Sequence, residues 1–238
     1  GFDTFYEYDK YNLPKQKLAK YIELLKSTLS LRDYGAELAN KQIMHWFQNR
    51  KKNKPYFMYV HYVEPHFPYN PPRPYQSKFG TIYPWTLFIN NNIKKNEFPN
   101  FYSGEWTLSQ KEWNIILDLY DGEIAYLDKK IGELLSFLQQ ERKDQLIFIT
   151  ADHGECLSDQ RALPVLQHQF GLYDDLIKVP LLVQYPNARK TRVENQVQLS
   201  DIFGTIFEIV DQKNAENNRS LIQKERNYEK SKYAISEY

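Results

Sequence analysis

Three short apolar and aromatic runs limit what this chain can fold into: "PYFMYVHYV" (55–63), "QLIFIT" (145–150) and "VPLLVQYP" (179–186). Each is the length of a strand, and nearly every position is apolar, which predicts strands covered on both faces, as in a parallel sheet. Helical periodicity separates them. Ala36, Ala39, Ile43 and Phe47 make one apolar stripe and predict a helix over about 34–50. Ser109 and Glu112 have the spacing of a capping box. Trp113, Ile116, Tyr120, Ile124, Leu127, Ile131, Leu134 and Leu138 follow at three and four residues and predict a long helix, which Gly122 and Gly132 would bend or divide. Further helices are expected at 13–27 and at 200–210, the second capped by Ser200, with a last strand at 232–238. Strands alternating with helices predict one α/β domain over 1–238, with a mostly parallel sheet flanked by helices. Ligands of such folds bind beyond the C-terminal ends of the strands.

Charge excludes some partners. The 31 basic and 30 acidic residues leave a net charge of +1, which offers no field to draw nucleic acid or an anionic membrane surface. No apolar run approaches the roughly 20 residues of a membrane helix. The opening "GFDTFYEYDK" is neither a signal peptide nor an initiator sequence, so the native N-terminus is expected upstream. With Cys156 as the only cysteine, no internal disulfide forms, and the compartment stays open between cytosol and export.

Four of the five histidines fall in or around two loops that follow strands. In "LIFITADHGE" the strand delivers Asp152 and His153 to one point. A carboxylate oxygen and an imidazole nitrogen suit a divalent metal, with Gly154 freeing the backbone so that both turn toward one ion. The alternative is a turn-capping Asp beside a packing His. In "HYVEPHFPY", His66 stands in a proline-stiffened loop, placed to bind an anion or move a proton, or simply to pack. His61, Glu64 and His66 lack a standard zinc spacing. His168, in "LQHQFGLYDD", reads on its own as a surface histidine, and His45 as an ordinary helix residue.

The order of these pieces resembles the sulfatase family of the alkaline phosphatase superfamily. "PYFMYVHYVEPHFPYNPP", "LYDGEIAYLDKKIGELLSFL", "LIFITADHGE", "HQFGLYDDLIKVPLLVQYP" and "LSDIFGTIFEIV" occur in the family's order over residues 55–210, with weaker outer matches at both ends. The resemblance implies an alkaline-phosphatase-like fold. It implies that Asp152 and His153 are the second pair of metal ligands, where many sulfatases have Asp-Asn. It makes His66 the sulfate-binding histidine of the "PH-x-P" loop. His168 would be a basic residue contacting the sulfate or the leaving oxygen. These four are expected to face one cleft. The implied cofactor is a divalent metal, Ca2+ first, with Mn2+ or Mg2+ as alternatives. The implied partner is a small-molecule or glycan sulfate ester, with no nucleic acid and no membrane segment.

The departures are equally specific. The family's Cys/Ser-x-Pro-x-Arg nucleophile motif, oxidised to formylglycine, is not among the 238 residues, and Cys156 in "HGECLSD" lacks its proline and arginine. The first Asp-Asp metal pair and the Lys-x-His segment are also missing. The expectation is therefore a partial catalytic domain, inactive alone, with a sulfatase as parent. A phosphoester hydrolase or phosphoglycerol transferase of the same superfamily is the alternative, and a non-catalytic binding protein that keeps the fold is the alternative of another class.

Overall fold

Ser109 starts the longest element. Its hydroxyl accepts the amide of Glu112 at 3.4 Å, while the Glu112 carboxylate accepts the amide of Ser109 at 2.7 Å. This capping box is the one expected, and it satisfies two N–H groups that a helix start otherwise leaves bare. In the computed structural model, which describes residues 4, 6, 33–80, 108–142, 144–158, 165–167, 171–194, 196–210 and 220–222, the elements run as follows. Helix α1 is Ala36–Asn49, a 3-10 turn is Tyr75–Ser77, and α2 is Gln110–Glu141. Strand β1 is Ile147–Thr150, β2 is Cys156–Ser158 and β3 is Val165–Gln167. Then come the one-turn α3 (Asp174–Ile177), β4 (Leu181–Gln184) and α4 (Ser200–Val210). The expected helix at 13–27, the last strand at 232–238 and His168 lie outside the described residues.

The chain divides into two compact units, 1–142 with 157–167, and 143–156 with 168–238. In the first, α1 packs on α2 with Phe47, 1% exposed, edge-on to Phe137 and Tyr56. The core beside them gathers Phe67 and Tyr69 from the proline-rich loop with Leu108, Trp113, Ile115, Ile116 and Leu119. Helix α2 is continuous over 32 residues, so Gly122 does not divide it. Its buried stripe also differs from the expected one. Ile124 is exposed, while Glu123 and Lys130 are buried. Charged residues enter the stripe because each has specific partners. Glu123 Oε1 accepts the amide of Asn70 at 2.9 Å, and Lys130 Nζ meets Glu37 and, at 2.9 Å, Glu133. A pattern of apolar residues alone cannot reveal such positions.

The two α2 glycines separate cleanly. A Cβ on Gly122 would lie 2.7 Å from the Tyr75 carbonyl oxygen and 2.8 Å from Pro71 Cγ, whereas one on Gly132 meets nothing within 4 Å. Gly132→Ala should stabilise the helix by about 0.5–1 kcal/mol, the usual propensity difference. At Gly122 the same change should destabilise by about 1–3 kcal/mol, because backbone and a proline ring must move. Urea melts of the two variants check the opposite signs.

In the second unit β1 and β4 pair antiparallel, with Ile147 opposite Gln184, Phe148 opposite Val183, Ile149 opposite Leu182 and Thr150 opposite Leu181. The two runs expected to be neighbours are neighbours, but not in parallel. The parallel expectation rested on two-sided cover, and the strands do not have it: Leu182 is 57% exposed. Among the described residues 55–63 forms no strand. Its exposure alternates, with Phe57 and Tyr59 open between half-buried neighbours. One covered face suffices for such a run, so apolarity does not by itself dictate a parallel sheet. Helix α4 has the expected bounds, and Asp201 Oδ2 accepts the amide of Gln198 at its start.

Candidate functional site

Strand β1 ends at Thr150, whose hydroxyl donates to the Pro180 carbonyl at 2.8 Å and ties the strand end to the approach of β4. Asp152 and His153 follow within three residues. Gly154 then docks the loop onto α3, donating its amide to the Leu176 carbonyl at 2.7 Å. A Cβ here would lie 2.0 Å from the Asp175 carbonyl oxygen. Gly154 therefore serves close approach of two backbones rather than the freedom to turn that its position suggested. Cys156, fully buried, lies with its sulfur 3.9 Å from Asp175 Oδ2.

The two functional candidates at this strand end have complementary geometry. Asp152 Oδ1 accepts the amide of His153 at 3.0 Å, which orients the carboxylate. His153 Nδ1 lies 2.7 Å from the Gly154 carbonyl oxygen. A carbonyl only accepts, so this contact needs the proton on Nδ1, and in the neutral ring Nε2 is then the unprotonated nitrogen. Nε2 and Asp152 Oδ1 stand 3.8 Å apart, with 38% and 71% of the two side chains exposed. An oxygen and a nitrogen at this separation, on partly exposed side chains, are a donor pair of the type that suits a divalent cation. Metal-binding histidines commonly donate their other N–H to a carbonyl in this way. Among the described residues no cluster of three His, Cys, Asp or Glu surrounds a common point.

His66 belongs to the first unit. It stands half-buried between two deeply buried residues, Glu64 at 3% and Phe67 at 4% exposure. Its Nδ1 is 2.5 Å from the Phe67 carbonyl oxygen, so the proton sits on Nδ1 here as well. His61 is exposed with its ring 6.3 Å from that of Tyr59, and His45 is an exposed residue of α1, as expected.

Sequence reasoning weighed Glu64 only as a zinc ligand and missed its structural contacts. It lies 28 residues beyond the start of α1, yet its Oε1 accepts the amides of Tyr34 at 2.9 Å and Ala36 at 3.2 Å. Burial pushes its carboxyl up, with the nearby Asp33 charge adding and the backbone amides opposing. Among the described residues no helix is long and apolar enough to cross a membrane.

The family model for sulfatases matches residues 1–212. The chain is 24% identical to a protein named "Sulfatase" from Formosa agariphila, over all of this chain and 51% of that protein. It is 23% identical to an "Arylsulfatase" of Clostridium perfringens over 68% of this chain and 35% of that one. It is 25% identical to an "N-acetylglucosamine-6-sulfatase" of Bos taurus, over 74% and 32%. It thus spans about half the length, or less, of these curated relatives. With the family model covering most of its length, the chain belongs to the sulfatase family.

Proposed function

We propose that the full-length protein carrying this chain hydrolyses sulfate esters of small molecules or glycans, with Asp152 and His153 holding a divalent cation and His66 binding the sulfate group. The observation that carries the reading is the 3.8 Å pairing of Asp152 Oδ1 with an Nε2 whose ring is fixed through Gly154, in a chain of the sulfatase family. Ca2+ is the first candidate, and the imidazole ligand also suits Mn2+ over a purely oxygen site; Mg2+ is the third. When bound, such a cation supplies positive charge toward the equatorial oxygens of the sulfuryl group.

The residues of this chain then have distinct tasks. Asp152 holds its charge in place through the His153 amide. His153, kept in one tautomer, presents a nitrogen lone pair. His66, with its proton on Nδ1, presents Nε2 to the sulfate as an acceptor when neutral and as a donor when protonated, and anion binding calls for the second state. His168 has the task of contacting the sulfate or protonating the leaving oxygen. The nucleophile in this reading is a formylglycine hydrate outside residues 1–238: one hydroxyl gives up its proton and attacks sulfur, the sulfur–oxygen bond to the alcohol breaks and the departing oxygen takes a proton, and the sulfated hydrate then loses its second hydroxyl proton and expels sulfate to leave the aldehyde, which water rehydrates.

The test is turnover by the full-length protein on matched aryl sulfate and aryl phosphate esters. Sulfate turnover is expected to exceed phosphate turnover, to vanish with a chelator, and to fall about 10²–10³-fold in His66→Ala, the cost of losing one charge-stabilising group. Faster turnover of the phosphate ester would place the protein with the phosphoester hydrolases instead. No hydrolysis of either ester would leave a binding protein that keeps the family fold.

A further inference from the structure

The loop that carries His66 is fastened on both sides of that residue. On one side Glu64, 3% exposed, accepts the amides of Tyr34 and Ala36 through one oxygen. On the other, the Tyr34 hydroxyl donates to the Pro68 carbonyl. Both attachments reach a single short stretch, 34–36, at the start of α1. Behind the loop, Phe67 and Tyr69 enter the core, 4% and 0% exposed and edge-on to one another at 5.4 Å. His66 is thus the half-buried crest of a five-residue span, 64–68, with its two ends bonded to one place and its back packed.

We propose that Tyr34 and Glu64 are positioning residues that hold the 64–68 loop so that His66 keeps one ring orientation and one tautomer. The inference rests on the reading of His66 as the sulfate-binding residue, but the clamp itself is geometric. Its logic is that of a supported ligand: a side chain that meets substrate is only as precise as the groups that hold its backbone. The i to i+1 contact from His66 Nδ1 to the Phe67 carbonyl, at 2.5 Å, requires that the carbonyl between His66 and Pro68 point toward the ring. The Tyr34 bond to the very next carbonyl, that of Pro68, fixes the following peptide. Without it the loop has a proline-bounded crest free to rock, and the ring exchanges between Nδ1–H and Nε2–H forms.

Two readouts on the full-length protein test this. In Tyr34→Phe the imidazole nitrogen signals of His66, followed by NMR, are expected to move from a single Nδ1–H pattern to an average of two tautomers. KM for the aryl sulfate is expected to rise about tenfold, the scale of a lost supporting contact, with kcat changed less and the melting midpoint nearly unmoved. Glu64→Gln, which keeps an acceptor for the two amides, should restore most of the KM and signal changes seen in Glu64→Ala. Unchanged His66 signals in a folded Tyr34→Phe protein overturn the proposal, whatever KM does. If His66→Ala turns over the ester as well as the wild type, it is the sulfate-binding reading that fails. The nitrogen signals of Tyr34→Phe then still decide whether the clamp exists.

Discussion

Asp152→Ala in the full-length protein is expected to lose metal affinity by more than about 100-fold, since even an outer-shell partner of a metal ligand costs 10–100-fold, and sulfate-ester hydrolysis should fall with it. Its fold should stay intact. The Asp152 side chain is 71% exposed and contributes one bond, to the neighbouring His153 amide, so its removal should cost no more than about 0.5–1 kcal/mol. The joint outcome separates a functional carboxylate from a structural cap. Thermal melts without metal, set beside turnover with saturating Ca2+, give both numbers. The stability of the chain at this point comes from Gly154 on α3 and from Thr150 on Pro180, neither of which needs the carboxylate.

Glu64→Ala is expected to have the opposite character, a large loss of stability of about 2–4 kcal/mol, because two amides at a buried helix start lose their acceptor and a cavity opens. Glu64→Gln should cost under about 1.5 kcal/mol, keeping shape and one acceptor oxygen. The pH dependence carries a further sign. Burial is the main cause that raises the Glu64 carboxyl above its usual 4.5, and its second oxygen is buried without a partner among the described residues. A carboxyl raised in the folded state stabilises the fold fully below its unfolded value, near 4.5, and that contribution is lost as pH rises through the folded value. The glutamine variant has no such loss. It should therefore gain stability relative to the wild type as pH climbs from 4.5 toward neutrality, in urea melts at matched pH. A gap that narrows in the reverse direction would show the carboxylate to be favoured by its two amides over its burial.

Local chemistry was the part legible in the sequence. The Ser109–Glu112 box, the extent of α4 and the adjacency of "LIFIT" and "PLLVQY" all follow from nearest neighbours and short apolar runs. So does the Asp-His pair at the strand end, since position just past β1 is a matter of a few residues. Other features were not legible, all for the same physical reason. Glu64, Glu123 and Lys130 are charged and carry no apolar signal in the sequence, yet each is buried with partners remote in sequence: Tyr34 and Ala36, Asn70, and Glu37. Asn40 likewise bridges elements unseen along the chain, donating to the Lys130 carbonyl at 2.8 Å and accepting the Tyr62 hydroxyl at 2.6 Å. Gly154 looked like a pivot because its contact, the Asp175 backbone, lies 21 residues away. Strand direction is also non-local: β1 and β4 run antiparallel, and the apolar runs that suggested otherwise leave Leu182 exposed. The α/β, alkaline-phosphatase-like class rests instead on family membership over residues 1–212.

Calorimetric titration of the full-length protein with Ca2+ and with Mn2+, for wild type, Asp152→Ala and His153→Asn, reaches the metal pair most directly. The wild type should bind both ions. Asp152→Ala should bind neither appreciably. His153→Asn, which replaces the nitrogen ligand by an amide oxygen, should keep Ca2+ while losing Mn2+ affinity by a larger factor, because the softer ion depends more on imidazole. Equal affinity per folded molecule in all three proteins would contradict the assignment, and Asp152 and His153 would then be no more than a turn cap and its neighbour.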